Sequence, residues 1–117
     1  MTIRLAFINP VGTGIYDAQM QRTLVPFARP DTVVDVLHFE GVPEDIAYYL
    51  PKHIIELGLL ELAPVLEAAG YDAIIVGCCF DPGVRVARDR RACWRRYPWG
   101  SGLCPPRVLI VCLVLTT

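Results

Sequence analysis

A short apolar run that ends in a cysteine constrains this chain more than any other segment. The run Ala73–Val76 has no polar residue, which is typical of a strand covered on both faces. Cys78 follows almost at once, and Asp81-Pro82 then predicts a helix start, with a capping carboxylate and a proline at the first helical position. Cys78 is therefore predicted at the carboxyl end of a central strand, where open α/β sheets place their ligands.

The predicted helix start also bears on the chemistry of Cys78. The positive end of a helix lowers the pKa of a nearby thiol, so we expect Cys78 to be a thiolate that does chemistry. The alternative is a structural cysteine that only fills the core. Asp81 has two readings as well, a helix cap or a general acid.

Hydrophobic periodicity predicts strands that alternate with helices along the rest of the chain. The predicted strands are Ile3–Ile8, Thr32–Phe39, Ala73–Val76 and Val108–Leu115. The predicted helices are Ile15–Phe27, a short Ile46–Leu50 that Pro51 stops, Ile54–Ala69 and the helix from Pro82. Pro64 predicts a kink or break in the third helix, and Gly70 predicts its cap. The order predicts an α/β fold: a three-layer αβα lobe with a parallel sheet and right-handed crossovers.

Charge divides the 117-residue chain into two parts. All 12 acidic residues precede position 90, whereas residues 90–117 carry five arginines and no acid. This break predicts a boundary between a lobe at 1–89 and an atypical tail at 90–117. The near-neutral total charge argues against nucleic-acid or membrane partners. Without a recognisable signal peptide or Cys-x-x-Cys spacing, we expect a cytoplasmic chain with no metal.

Three short motifs that follow the predicted strands resemble the aspartate/glutamate/hydantoin racemase superfamily, with the hydantoin racemase branch the best match. They are Ile8-Asn9-Pro10 after the first strand, Gly41 with Pro43 after the second, and Gly77-Cys78 with Asp81-Pro82-Gly83 after the third. The resemblance covers residues 3–89. It implies two similar lobes that each supply one cysteine, with the active site between them.

The resemblance also implies a cofactor-independent racemase that acts on a small amino acid or hydantoin. Cys78 matches the catalytic cysteine of the first lobe, and Asn9 matches a residue that holds the substrate. The backbone amides from Cys78 through Cys79, Phe80 and Asp81 would bind a carboxylate or a ring carbonyl. Thr13 is expected to donate a hydrogen bond to the substrate. His38 and His53 have no partner at a useful spacing in the sequence and are assigned to packing or to the surface.

The chain departs from the family pattern beyond residue 89. Residues 90–117 match nothing in the family, and their composition indicates a shifted reading frame or a truncated gene, so the second lobe is expected to be missing. Activity of this chain alone is then in question. The alternatives are a related decarboxylase or maleate-isomerase type enzyme, and a non-catalytic remnant or binding module that self-associates through the exposed face of the lobe.

Overall fold

One parallel sheet organises the part of the chain that the computed structural model describes, which is residues 1–78, 82–89 and the backbone of 109–112. The strands are β1 (Ile3–Asn9), β2 (Thr32–His38), β3 (Ala73–Val76) and β4 (Leu109–Cys112). They lie in the order β2-β1-β3-β4 across the sheet. All the pairings are parallel, so the carboxyl ends of the strands meet at one edge. The predicted parallel sheet is confirmed.

The helices lie on both faces of this sheet. They are α1 (Asp17–Leu24), which continues as a 3-10 turn at Val25–Phe27, α2 (Tyr49–Ala68) and α3 (residues 84–89). The chain moves from β1 to β2 in one direction across the sheet and from β2 to β3 in the other. Because such crossovers are right-handed, α1 and α2 cover opposite faces. This arrangement gives the predicted αβα layers.

The main apolar core lies between the sheet and the layer that contains α2 and α3. Ala6 and Ile8 of β1 lie beside Ile74 and Val76 of β3, and all four residues are fully buried. The helices contribute Ile55, Leu59, Leu66, Val84 and Ala87 to this core. Each buried Ile or Leu contributes roughly 1.5–3 kcal/mol through the area that it removes from water.

Two prolines lie within α2, although the sequence predicted that Pro51 ends a short helix and that Pro64 kinks or breaks a later one. Pro51 was expected to end one helix, but it lies in the first turn of α2, where its missing N–H costs no intrahelical hydrogen bond. Pro64 lies inside the helix, and α2 continues past it to Ala68, so the predicted break is wrong. The buried face of α2 holds the helix against the sheet on both sides of Pro64. Gly70 has a φ of 88°, which confirms it as the predicted cap.

A side chain of α1 covers the open edge of β2. The Gln21 amide donates to the backbone oxygen of Val34 at 2.7 Å and accepts from the backbone N–H of Val36 at 3.2 Å. These two hydrogen bonds replace those that a further strand would make, and they protect an edge that otherwise invites pairing. They also fix α1 close to the carboxyl end of β2.

Arg4 and Tyr71 connect the strands near the amino-terminal ends of β1 and β3. The Arg4 guanidinium donates to the carbonyl of Ala69 at 2.8 Å and lies 4.4 Å above the centre of the Tyr71 ring. The Tyr71 hydroxyl donates to Asp35 Oδ2 at 2.8 Å. Burial raises the pKa of Tyr71 above its ordinary value of 10.0, the hydrogen bond and the charge of Asp35 raise it further, and Arg4 opposes them.

This network predicts a loss of stability at alkaline pH. The folded state holds the Tyr71 proton more tightly than the unfolded chain does, so the stabilisation is complete below the unfolded pKa. It is lost as the pH rises through the higher pKa of the folded state. Urea unfolding between about pH 9 and about pH 11 should therefore show a steeper loss for the native chain than for Tyr71→Phe. Tyr16→Phe is the control, and a Tyr71→Phe curve parallel to that of the native chain would contradict the prediction.

Candidate functional site

Three chain segments meet at the carboxyl edge of the sheet. Asn9 ends β1 and is paired in register with His38, which ends β2. On the other side of β1, the Gly77 N–H donates to the carbonyl of Ile8 at 2.9 Å, so the chain after β3 stays beside β1. Cys78 is the next residue. The edge therefore brings Asn9, His38 and Cys78 onto adjacent strand ends, at the place where open α/β sheets bind ligands.

The position of Cys78 depends on the glycine before it. A Cβ atom on Gly77 would collide with the ring of Phe7 and lie 3.3 Å from the carbonyl oxygen of Ile8. Only glycine therefore allows the chain to pass this close to β1. Cys78 follows as a half-buried thiol, two residues beyond the end of β3 at Val76. This is the place that the sequence predicted for it, and its role stays a prediction.

Asn9 offers an unused hydrogen-bond donor at the same edge. The residue is only 5% exposed, and its Nδ2 atom has no partner among the residues that the structure describes. A buried amide without a partner costs about 1–3 kcal/mol. A bound ligand with an oxygen at this position would remove that cost. Asn9 was predicted as a substrate-binding residue, and this geometry is compatible with that role.

The loop after β1 is fastened to the loop after β2. The Gly12 N–H donates to the carbonyl of Pro43 at 2.8 Å, and the Phe39 N–H donates to the carbonyl of Val11 at 3.1 Å. A Cβ on Gly12 would collide with the carbonyl oxygen of Val42. Because the N–H of Gly12 already donates to Pro43, that group is not available to a ligand. The loop instead borders the carboxyl edge of the sheet beside β1 and β2.

His38 and Asp17 form a close pair beneath this loop. His38 Nδ1 lies 2.6 Å from Asp17 Oδ2, and both side chains are partly buried. Gly14 makes room for them, since a Cβ there would lie 2.8 Å from His38 Cε1. The sequence-based expectation that His38 lacks a partner is wrong, because α1 folds back and brings Asp17 to the end of β2. His53 also has a carboxylate partner, Glu56, at 2.9 Å.

Of the other predicted substrate-binding residues, the structure describes only Thr13. Thr13 is half-buried, and its hydroxyl accepts a long hydrogen bond from the N–H of Ile15 at 3.4 Å. Cys79, Phe80 and Asp81 lie outside the described residues. Their predicted contacts to the substrate therefore stay predictions.

The start of α3 differs from the prediction. The sequence placed the first helical position at Pro82, but the helix begins at residue 84. The Ala87 N–H donates to the carbonyl of Gly83 at 2.8 Å, which makes Gly83 the capping residue. Gly83 has a φ of 73°, and its Cβ position lies 3.2 Å from Leu59 Cδ2. The close approach to α2 forces a turn before the helix can begin.

The described residues contain neither a metal-binding cluster nor a membrane-spanning helix. No group of three or more His, Cys, Asp or Glu side chains suited to a metal ion comes together within residues 1–78 and 82–89. Among the helices that the structure describes, none is both long enough and apolar enough to cross a bilayer.

The described strands and helices define an α/β lobe with a cysteine at the carboxyl edge of its parallel sheet, and two known proteins are similar to this chain in sequence or fold. A hydantoin racemase from Pseudomonas sp. (strain NS671) is 26% identical over 87 residues, which is 74% of this chain and 35% of that protein. The structure of allantoin racemase from Klebsiella pneumoniae matches with a TM-score of 0.70 at 23% identity, over 75% of this chain and 36% of that one.

No family model matches the chain. The sequence and fold similarities nevertheless relate the N-terminal part of the chain to the racemase superfamily, which confirms the predicted resemblance. The chain spans about a third of the length of these two relatives.

Proposed function

We propose that this chain provides one half of a cofactor-independent racemase site for a hydantoin or a related derivative of an amino acid. The observation that carries the proposal is the unpartnered, buried Nδ2 of Asn9 at the sheet edge where Cys78 also lies. The similarity to a hydantoin racemase and an allantoin racemase supports it. Both substrates contain the same planar ring with two carbonyl groups.

The proposed chemistry begins with proton removal by Cys78. The thiolate takes the proton from the stereogenic carbon, so a C–H bond breaks and an S–H bond forms. The electron pair moves into the adjacent carbonyl and places negative charge on its oxygen. The Asn9 amide donates to that oxygen, which stabilises the charge where it develops. Return of a proton to the carbon completes the cycle.

Inversion of the stereocentre requires an acid on the opposite face of the flattened carbon. The resemblance implies that a second lobe supplies this acid. Proton removal and return through Cys78 alone would use a single face. The described half-site should therefore exchange the proton with solvent even where it does not invert the centre.

An exchange experiment tests this function on the chain as it exists. One enantiomer of 5-benzylhydantoin is incubated in deuterium oxide at neutral pH, and NMR follows deuteration while chiral chromatography follows inversion. We expect deuteration faster than in buffer alone, with or without inversion. Deuteration at the buffer rate would contradict the proposal and would agree with a binding module. Carbon dioxide release from an arylmalonate without deuteration would favour the decarboxylase alternative instead.

A cytoplasmic location and self-association also stay predictions. The outer face of α2 exposes large apolar side chains, with Leu50, Leu57 and Val65 each more than 60% exposed. Exposed apolar surface of this kind favours association.

A further inference from the structure

The His38–Asp17 pair places a hydrogen-bond acceptor at the carboxyl edge of the sheet. An ionised carboxylate only accepts hydrogen bonds, so the 2.6 Å contact between His38 Nδ1 and Asp17 Oδ2 favours the tautomer that carries its proton on Nδ1. In the neutral imidazole, the other nitrogen, Nε2, then carries a lone pair. Asp17 in this way selects the tautomer of His38 and acts as its positioning residue.

No other described side chain occupies His38 Nε2 at hydrogen-bond distance. The nearest charged group is Glu40, whose Oε1 lies 3.8 Å away on a side chain that is 96% exposed. This separation is too long for a hydrogen bond. Within the part of the chain that the structure describes, Nε2 is therefore open to a ligand.

Asn9 supplies the complementary donor on the neighbouring strand. Asn9 and His38 are paired in register, so their side chains project from the same face of the sheet. Adjacent strands lie about 4.8 Å apart, which allows one planar ring to contact both side chains. The unpartnered Nδ2 of Asn9 is a donor, whereas His38 Nε2 is an acceptor.

We infer that His38 is a specificity-determining residue that, together with Asn9, binds the amide edge of a cyclic imide or ureide. Asn9 Nδ2 donates to a ring carbonyl, and His38 Nε2 accepts from the adjacent ring N–H. The inference rests on the proposed function, because it assigns these contacts to the same site. A free carboxylate has no N–H and would place a negatively charged oxygen against the lone pair of Nε2. The pair therefore selects a ring amide over the carboxylate of an amino acid.

The surroundings of the pair indicate a built site rather than an incidental contact. Gly14 lies so close to His38 that any side chain there would displace the ring. Asp17 Oδ1 is buried and has no hydrogen-bond partner among the residues that the structure describes. A carboxylate oxygen left in this state lowers stability.

Calorimetric binding of two ligands tests the inference. The first ligand is 5-benzylhydantoin, and the second is the same compound methylated at the imide nitrogen between the two carbonyls. We expect the native chain to bind the methylated compound about 5- to 10-fold more weakly, which corresponds to the loss of one hydrogen bond. His38→Phe, which lacks the acceptor, should bind both compounds with equal affinity. A preference that persists in His38→Phe would overturn the inference.

His53→Phe is the matched control, since it removes the other histidine that is paired with a carboxylate. We expect it to keep the preference of the native chain. If it instead loses the preference as His38→Phe does, the effect is not specific to the sheet edge and the inference is wrong.

A measurement on the native chain tests the inference without a variant, so its outcome does not depend on whether His38→Phe folds. ¹⁵N NMR of the histidine rings should show the Nδ1–H tautomer at His38, and 5-benzylhydantoin should shift Nε2 of His38 but not of His53. An unchanged His38 signal at saturating ligand would refute the inference. Deuteration without a preference for the unmethylated ligand would refute this inference alone, whereas the preference without deuteration would refute only the proposed function.

Discussion

Replacement of Cys78 by alanine is expected to reduce deuteration of the hydantoin by at least about 100-fold, which is the low end of the contribution of a positioned base. Alanine removes the only group that the account uses to take the proton. Cys78→Ser should lose nearly as much, because a hydroxyl is a far weaker acid than a thiol and is scarcely ionised at neutral pH. The rates are measured by NMR in deuterium oxide under identical buffer conditions.

Cys93→Ser is the control for this prediction, since it replaces a thiol further along the chain that the account gives no role. It should keep the exchange rate of the native chain. Ligand binding to Cys78→Ala, measured by calorimetry, separates lost chemistry from lost folding. A Cys78→Ala protein that binds the hydantoin and still exchanges its proton at the native rate would disprove the role of Cys78.

Replacement of Gly77 by alanine is expected to lower the free energy of unfolding by about 3 kcal/mol, at the upper end of the range for an overpacked core. The new Cβ would collide with Phe7 and press on the carbonyl oxygen of Ile8. Relief requires β3 to move away from β1 at its carboxyl end. The same movement would displace Cys78, so exchange should fall together with stability. Urea unfolding provides the measurement.

Gly41→Ala is the matched control for the steric part of this effect. Gly41 has a φ of 69° and nothing within 4 Å of its Cβ position, so alanine there adds backbone strain but no collision. We expect a cost of about 1–2 kcal/mol for the left-handed conformation. If Gly77→Ala costs no more than Gly41→Ala, the close contact between β1 and β3 does not determine the position of Cys78.

Local patterns were sufficient to predict the sheet and the position of Cys78. The apolar run of β3 and the cap at Gly70 depend on neighbouring residues, and both were predicted correctly. The continuity of α2 through Pro51 and Pro64 was missed because tertiary packing of its buried face outweighs the local effect of proline. The late start of α3 was missed for a similar reason, since Gly83 turns the chain against Leu59 of a distant helix.

The positions of candidate site residues could be predicted only where a single segment carried the signal, and their roles stay predictions. Asn9 ends β1 and Cys78 follows β3, and both positions could be predicted from neighbouring residues. The pair of His38 with Asp17 joins residues from β2 and α1, and spacing along the chain does not show that contact. The small residues Gly12 and Gly14 were a signal of close approach in this loop, yet they do not by themselves name the partners.

Alkylation of Cys78 by iodoacetamide, with and without 5-benzylhydantoin, tests the central claim most directly. Mass spectrometry of peptides from the native chain measures the rate at this one thiol. The account predicts that saturating hydantoin slows alkylation of Cys78 by at least about 10-fold. The bound ring excludes the reagent, and at saturation more than about nine sites in ten are occupied. The rate at Cys93 should not change. Equal alkylation of Cys78 with and without the ligand would contradict the claim that the ring binds against this sulfur.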